Sequence, residues 1–547
     1  MRVVKVLQEW SLRTFDSLKA LPKNVWLSLR RRIASIQSLF QDLKDHPQAT
    51  KTMVLSALLM GLGQFKNKQT FKALFFLGFF LVYLAVELAT SGYVGSLAEM
   101  AEFPDDFGII YARDYGGLFV RGLWGFFTLG ELVVFDFYRG GNIRLQDNVT
   151  AWRSADVSNV LLGQGIIVIV LMALLLAVYI ANVVDAYKTA KLISAGEEPE
   201  SFQSFRKRAF DDYFAYIIII PAGILIMFLT LVPFLYSFLI AFTNYTTQIQ
   251  SGAQLIRWVG FDNFGLYLFQ AEWLQFFGNV FVWTIIWAIM SSVTVYSIGF
   301  FQAIVVESRY IKYKKLYRLI MILPWAIPGL VSLLVFRNVF ASNAGLANIL
   351  LIEFGVLEQA KDFLRAIGLL GQSPEIGVIL WYTEPANGNL TKALIILVNL
   401  WMGSPYFMLL ITGVLGTIPA ELYEAADIDG ATDTQKFKFI TWPWVLRATM
   451  PVIITTFTFN FNNFGAIYFL TAGGPGYPLS QIPESLRVTG AMPGQTDILI
   501  SWIYKIAFAN NPARYNLAST YSIVVFVIVG LFAIYNLSKV KGFWEED

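Results

Sequence analysis

About eight stretches of this chain are each apolar over roughly the twenty residues that a helix needs to cross a bilayer. They fall near 71–91, 160–186, 213–243, 276–306, 317–340, 393–418, 451–471 and 518–538. Inside hydrocarbon every backbone N–H and C=O must find a partner within the protein, and one continuous apolar run manages this only as a helix. The expected fold is therefore all-α, a polytopic integral membrane protein with about eight transmembrane helices. Composition agrees. The chain is 56% hydrophobic and 14% charged, against about 25% charged residues in soluble domains, and its mean hydropathy is +0.57.

What is scarce excludes several chemistries. There is no cysteine, so disulfides, thiolate metal sites and cysteine nucleophiles are ruled out. The single histidine, His46, lies in a polar segment, which leaves no His-based metal site or triad. A formal net charge of +3 points to no nucleic-acid partner. The N-terminus shows no short apolar core followed by a small-residue cleavage site, so no cleaved signal peptide is expected.

Charge orients the spans. Lys and Arg concentrate before residue 70, at 187–212, at 307–318 and after 538, as expected of cytoplasmic segments. The stretch 92–158 is more acidic and reads as external. A ninth apolar run, 118–138, carries Arg121, Glu131 and Asp136; charges inside a span are costly. With both termini inside, the span count is even, so 118–138 reads as an interfacial or re-entrant piece. Residues 1–50 mix basic and apolar residues at helical spacing, with Arg30, Arg31 and Arg32 the densest cluster. Such a helix suits an anionic membrane surface; a solvated helical tail or a contact to a soluble subunit is the alternative. The chain thus divides into a basic amphipathic segment 1–70, membrane helices with an external loop over 71–212, and a core over 213–547. The external loops 341–392 and 472–517 are long enough to fold over a channel mouth. No 20–50-residue repeat is present.

One polar segment between two spans, 421–443, is not needed to cross a bilayer. It holds Glu424-Ala425-Ala426, then Gly430 after three intervening residues, then Pro443. The small alanines let a partner surface approach the backbone, and Gly430 permits a sharp change of direction. This spacing resembles the EAA loop of ABC importer permeases, which docks on the ATPase. The chain itself lacks a Walker A loop; GLGQFKNKQ and AGGPG have glycines without the Lys-Ser/Thr that holds phosphate.

Two further patches carry polar or aromatic groups inside spans. In TTFTFNFNNF, Thr456, Phe459, Asn460 and Asn463 share one stripe at 100° per residue. Amides and a hydroxyl beside an aromatic suit a sugar, with its hydroxyl edge and C–H faces. Asn and Thr also tie membrane helices together, and both readings stand. In NLWMGSPYF, Met402, Gly403 and Tyr406 share a face and Pro405 bends the helix, which a simple proline kink also explains. LPWAIP places Pro324 and Pro328 on one face and invites a kink or gate.

From about residue 210 onward, IAFTNY, WVGFDNF, LPWAIP, the EAA loop, FNFNNF with AGGPG, and TDILISWIYKIAF together resemble the larger permease subunit of maltose/maltodextrin ABC importers, the MalF type. The resemblance implies a six-helix importer core, alternating access, and a sugar site at Met402, Gly403, Tyr406, Thr456, Phe459, Asn460 and Asn463. It implies an α-glucan cargo, maltose or maltodextrin, and a place for the chain in the bacterial cytoplasmic (inner) membrane. It implies a second homologous permease, a solute-binding protein and two ATPase subunits that carry the ATP and magnesium, with Glu424, Ala425, Ala426, Gly430 and Pro443 contacting the ATPase. The chain itself would hold no cofactor and catalyse nothing. Here Trp442 stands where the family usually has Leu, Thr456 where it more often has Ser, and Met402 where it more often has Leu. The loop 244–275 lacks the large folded insertion of the best-known member. Another oligosaccharide or polyol as cargo, and an ion-coupled secondary transporter, are the alternatives.

Overall fold

The computed structural model describes residues 38, 40–91, 116–129, 158–211, 214–246, 256–308, 311–342, 345–371, 377–383, 388–483, 487, 492–509 and 512–539. The Arg30–Arg32 cluster and most of the 92–158 loop lie outside them. The chain forms two compact units, Met1–Tyr236 and Ser237–Asp547. Among the described residues there are helices and two isolated bridges, Thr243–Trp258 and Gly476–Gly494.

The first unit contains α1 (Pro47–Leu58), α2 (Leu62–Lys66), α3 (Thr70–Thr90), α4 (Leu118–Phe127), α5 (Ser158–Ser194), α6 (Phe202–Asp211) and α7 (Phe214–Ile226); α7 continues through a π-helical turn, Met227–Leu231, into α8 (Val232–Ile240), along which the unit boundary falls. The turn between α1 and α2 is stitched to α5 by buried polar groups. Asn182 accepts from the Gly61 N–H at 3.0 Å and donates to the Ser56 carbonyl at 3.0 Å, while Gln64 donates to the Asn182 carbonyl at 2.8 Å. The ninth apolar run begins as α4, which has ten residues and is too short to cross a bilayer. Its N-terminus sits on Glu87 of α3, whose carboxylate accepts from the Gly117 and Phe119 N–H groups at 2.8 Å each. An acid inside an apolar run is thus satisfied by the free donors of a helix start.

The second unit contains α9 (Asp262–Leu268), α10 (Ala271–Glu307), α11 (Lys314–Ala326), α12 (Gly329–Val339), α13 (Leu346–Glu353), α14 (Leu357–Ala366), α15 (Gly388–Leu415), α16 (Ala420–Ile428), α17 (Asp433–Lys436), α18 (Trp442–Phe461), α19 (Phe464–Thr471), α20 (Leu499–Tyr504) and α21 (Tyr515–Lys539). Five described helices are long and apolar enough to span a membrane, or six if α11 and α12 form one broken span. α18 and the apolar part of α21 fall outside that group, so the expected eight spans are not all reproduced by length and hydropathy. α11 and α12 meet at 86°, where Pro324 withdraws a donor and Pro328 starts the second arm.

α10 and α15 are the centre of this unit. In each, 44% of the most apolar stretch is buried, against 11% in α3. Their contact is close because Gly299 faces α15: a Cβ there would stand 2.7 Å from the Ser404 carbonyl oxygen. Trp273, Trp287 and Trp502 are fully buried in the surrounding clusters.

Candidate translocation site and coupling segment

The two patches expected to line a pathway meet on one turn of α10. Gly403 of α15 faces Val295, to which an added Cβ would come within 3.0 Å. Asn460 of α18 is buried and donates from Nδ2 to the Ser292 Oγ at 3.0 Å. Its backbone carbonyl, near the end of α18, accepts from the Trp287 indole at 2.9 Å. Ser292 and Val295 are three residues apart and share a helix face. α10 therefore sets the position of both patches.

The stripe expected over 456–463 does not survive intact. α18 stops at Phe461. Asn462 turns back to donate to the Thr458 carbonyl at 3.2 Å, and Asn463 caps α19 by accepting from the Ala466 N–H at 3.1 Å. An asparagine pair therefore ends one helix and starts the next, in keeping with the N-cap preference of asparagine. Thr456 donates to the Val452 carbonyl of its own helix at 2.8 Å. In this conformation both amides and the hydroxyl have protein partners.

The aromatics behave differently. Phe459 is 66% exposed and Tyr406 40% exposed. Tyr406 lies beside Trp325, itself 55% exposed, with ring centroids 6.3 Å apart and an interplanar angle of 32°. One turn earlier on α15, Met402 packs at Gly329, where an added Cβ would meet its Cε at 3.3 Å. Met402 and Tyr406 thus touch the two arms of the bent α11–α12 pair, one on each side of the 86° break. Trp325 was not among the residues singled out by sequence. It lies inside LPWAIP, where the two prolines drew attention to the kink and away from the indole between them. The arrangement exposes aromatic faces, while Thr456, Asn460 and Asn463 are committed to protein partners.

The segment 421–443, expected to dock on an ATPase, is built from local rules. α16 ends in a Schellman turn: Ala431 N–H donates to the Ala426 carbonyl at 2.9 Å and Gly430 N–H to the Asp427 carbonyl at 3.1 Å. Gly430 has φ +73°, and nothing lies within 4 Å of where its Cβ would be. Thr432 then caps α17 reciprocally with Gln435. Lys436 pairs with Asp427 across the turn, and the Asp427 carboxylate holds its ammonium above the usual lysine range. Tyr423 bonds Thr441 at 2.8 Å, tying α16 to the π-helical turn Phe437–Thr441 before α18, where Pro443 occupies the first turn. Glu424 and Ala425 are exposed and Ala426 is half-buried. Ile428 and Phe439 are exposed too, so the segment presents a carboxylate with apolar side chains to water. Among the described residues no group of His, Asp and Glu could hold a metal ion.

Residues 296–540 match the family described as binding-protein-dependent transport system inner membrane component. Over 91% of its length the chain is 33% identical to the whole of the galactooligosaccharides transport system permease protein GanP of Bacillus subtilis (strain 168). It is also 33% identical, over 90% of its length and 96% of the relative, to the maltodextrin transport system permease protein MdxF of the same organism. The maltose/maltodextrin transport system permease protein MalF of Vibrio parahaemolyticus serotype O3:K6 is 35% identical over 51% of this chain and 48% of its own.

Proposed function

The chain belongs to the binding-protein-dependent transport system inner membrane components, the permease subunits of ABC importers, and from that premise we propose that it carries maltose or maltodextrin. It is a multi-pass membrane transport subunit, and its family is not one of enzymes. The ion-coupled alternative falls away with family membership. In the proposed assembly it pairs with a second homologous permease in the bacterial inner membrane, receives sugar from a solute-binding protein, and rests on two ATPase subunits that hold the ATP and magnesium. Glu424, Ala425, Ala426, Gly430 and Pro443 form the lever against the ATPase. Movement of that lever switches the cavity between the two sides of the membrane, and the α11–α12 break is a bending point beside the sugar.

The observation that carries the sugar reading is the set of exposed aromatics Trp325 of α11, Tyr406 of α15 and Phe459 of α18, the first two in ring contact. Aromatic faces accept the C–H faces of pyranose rings, and the burial of such faces is a large apolar term. Met402 and Gly403 shape the floor, and Thr456, Asn460 and Asn463 are the polar candidates that exchange their present partners for sugar hydroxyls when the helices shift. Likeness to GanP supports a second reading, in which the cargo is a galactooligosaccharide.

Reconstitution of the complex with its binding protein tests both. Maltotriose is expected to stimulate ATP hydrolysis and to enter vesicles, and Phe459→Ala is expected to abolish both while leaving basal hydrolysis intact. Stimulation by a galactooligosaccharide and none by maltotriose would replace the α-glucan reading with the second one.

A further inference from the structure

The second compact unit also turns outward an apolar surface that the translocation pathway does not use. α13 and α14 lie in the loop 341–392, and the large apolar side chains Ile349, Ile352, Phe354, Phe363 and Ile367 along them are exposed. Phe354, at the joint between the two helices, is 74% exposed, and Phe363 is 63% exposed. The surface is held rather than frayed. Buried Asn348 donates from Nδ2 to the Ser342 and Ile379 carbonyls at 2.9 Å each, and its Oδ1 accepts from the Ile379 N–H at 3.2 Å. That tether fixes which way α13 faces.

α14 is amphipathic. At 100° per residue Ala360, Phe363, Leu364 and Ile367 fall within an arc of about 100°, while Glu358, Lys361, Asp362 and Arg365 fall opposite. The charged groups pair with one another, Lys361 with Glu358 at 2.8 Å and Arg365 with Asp362 at 3.1 Å. These two acids and two bases leave that face formally neutral. The placement along the chain matters as well. α12 is the second arm of the bent membrane pair and ends at Val339, and α13 starts at Leu346. The link of about six residues reaches at most roughly 20 Å, so α13 cannot leave the neighbourhood of the membrane surface.

We propose that α13 and α14 lie in the external membrane–water interface, with Ile349, Ile352, Phe354, Phe363 and Ile367 set among the acyl-chain ends of the outer leaflet. Basic amphipathic helices gain from anionic headgroups. With Glu353 of α13 counted, the pair has three acids against two bases and gains nothing from anionic headgroups, so the association rests on apolar burial and needs no anionic lipid. It fixes the outer end of the bent α11–α12 pair to the bilayer while the cytoplasmic end is tied to α10 by Arg318 and Lys314 on Glu307.

The chain has no cysteine, so one introduced thiol is unique within it. Ile352→Cys, Phe363→Cys and, as the water-facing control, Asp362→Cys can each be labelled with bimane in the assembled complex in nanodiscs. All three positions are exposed, so the variants leave the packed interior alone. Labels at 352 and 363 are expected to shift to shorter wavelength, to be quenched by lipids bearing a nitroxide near the headgroup, and to lose iodide quenching. The label at 362 is expected to do the reverse. The pattern is expected to persist in bilayers of purely zwitterionic lipid. Iodide quenching at 352 and 363 equal to that at 362 would overturn the proposal. So would protection from both quenchers, which means that a protein covers the face, and so would lipid quenching that appears only with anionic lipid.

Discussion

The segment of α16 and α17 proposed to dock on the ATPase and the α18–α19 turn around FNFNNF are separated by one helix, α18, and both are rich in polar side chains. They use them in opposite ways. In the coupling segment the polar groups serve the backbone within a few residues: Thr432 with Gln435, Gly430 in the Schellman turn, Asp427 with Lys436. Glu424 and Ala425 are left facing water. At the α18–α19 turn the decisive contact is long-range, Asn460 to Ser292, 168 positions away along the chain. The first region is a local construction that presents a surface. The second is a junction that holds the membrane helices in place. A residue's type says little about which of these it serves, whereas the sequence separation of its partner says a great deal.

Substitutions can break this contrast. Asn460→Ala removes a buried donor from Ser292, and losing one partner of a buried hydrogen bond costs about 1–3 kcal/mol. The complex is expected to melt earlier, and Ser292→Ala added to it is expected to cost less than the sum of the two single changes. Unchanged melting with loss of sugar response alone would place the amide in the sugar site and not in the helix contact.

Gly430→Val comes next. No atom stands in its way, so the penalty is the left-handed backbone, about 1–2 kcal/mol for a side chain at that φ. Because the strain is local, the α10–α15 core is expected to melt as before while ATPase subunits no longer copurify. Normal copurification with normal sugar-stimulated turnover would show that 421–443 is not the docking element.

Thr432→Ala removes an N-cap worth about 1 kcal/mol. Its expected signature is faster amide exchange over α17 and nowhere in α10 or α15; faster exchange in those core helices would make the segment part of the core. The smallest effect is expected from Lys436→Met, since an ion pair whose carboxylate stands open to water contributes little. The raised ammonium means that this pair is fully formed below the ordinary lysine range and is lost only as pH climbs past the raised value. A drop in ATPase binding on going from pH 8 to 9 that the Lys436→Met variant abolishes would contradict this.

These contrasts also explain what could be read in advance. The apolar runs, the break at Pro324 and Pro328, the start of α18 at Pro443 and the glycine turn at 430 were legible because each depends on burial in hydrocarbon or on one residue's backbone. The α18–α19 break was not. Asn463 fits a continuous helical stripe by spacing, and only the bonds that Asn462 and Asn463 make show that the helix ends. Trp325 was likewise hidden, because its relation to Tyr406 depends on an 86° bend whose existence sequence suggests and whose direction it does not. By sequence Glu87 is only an acid within an apolar run, and the fold alone brings its carboxylate to the start of α4.

By itself, then, the sequence determined an all-helical membrane protein, the family to which it belongs and the surface offered at 421–443. Those properties follow from period, hydropathy and local backbone preference, which act over a few residues. The tertiary structure decided that Gly403 and Asn460 meet one turn of α10, that Trp325 joins Tyr406, and that Asn463 caps a helix instead of joining a stripe. These depend on where distant helices cross, and crossing is set by which side chains leave room for close approach.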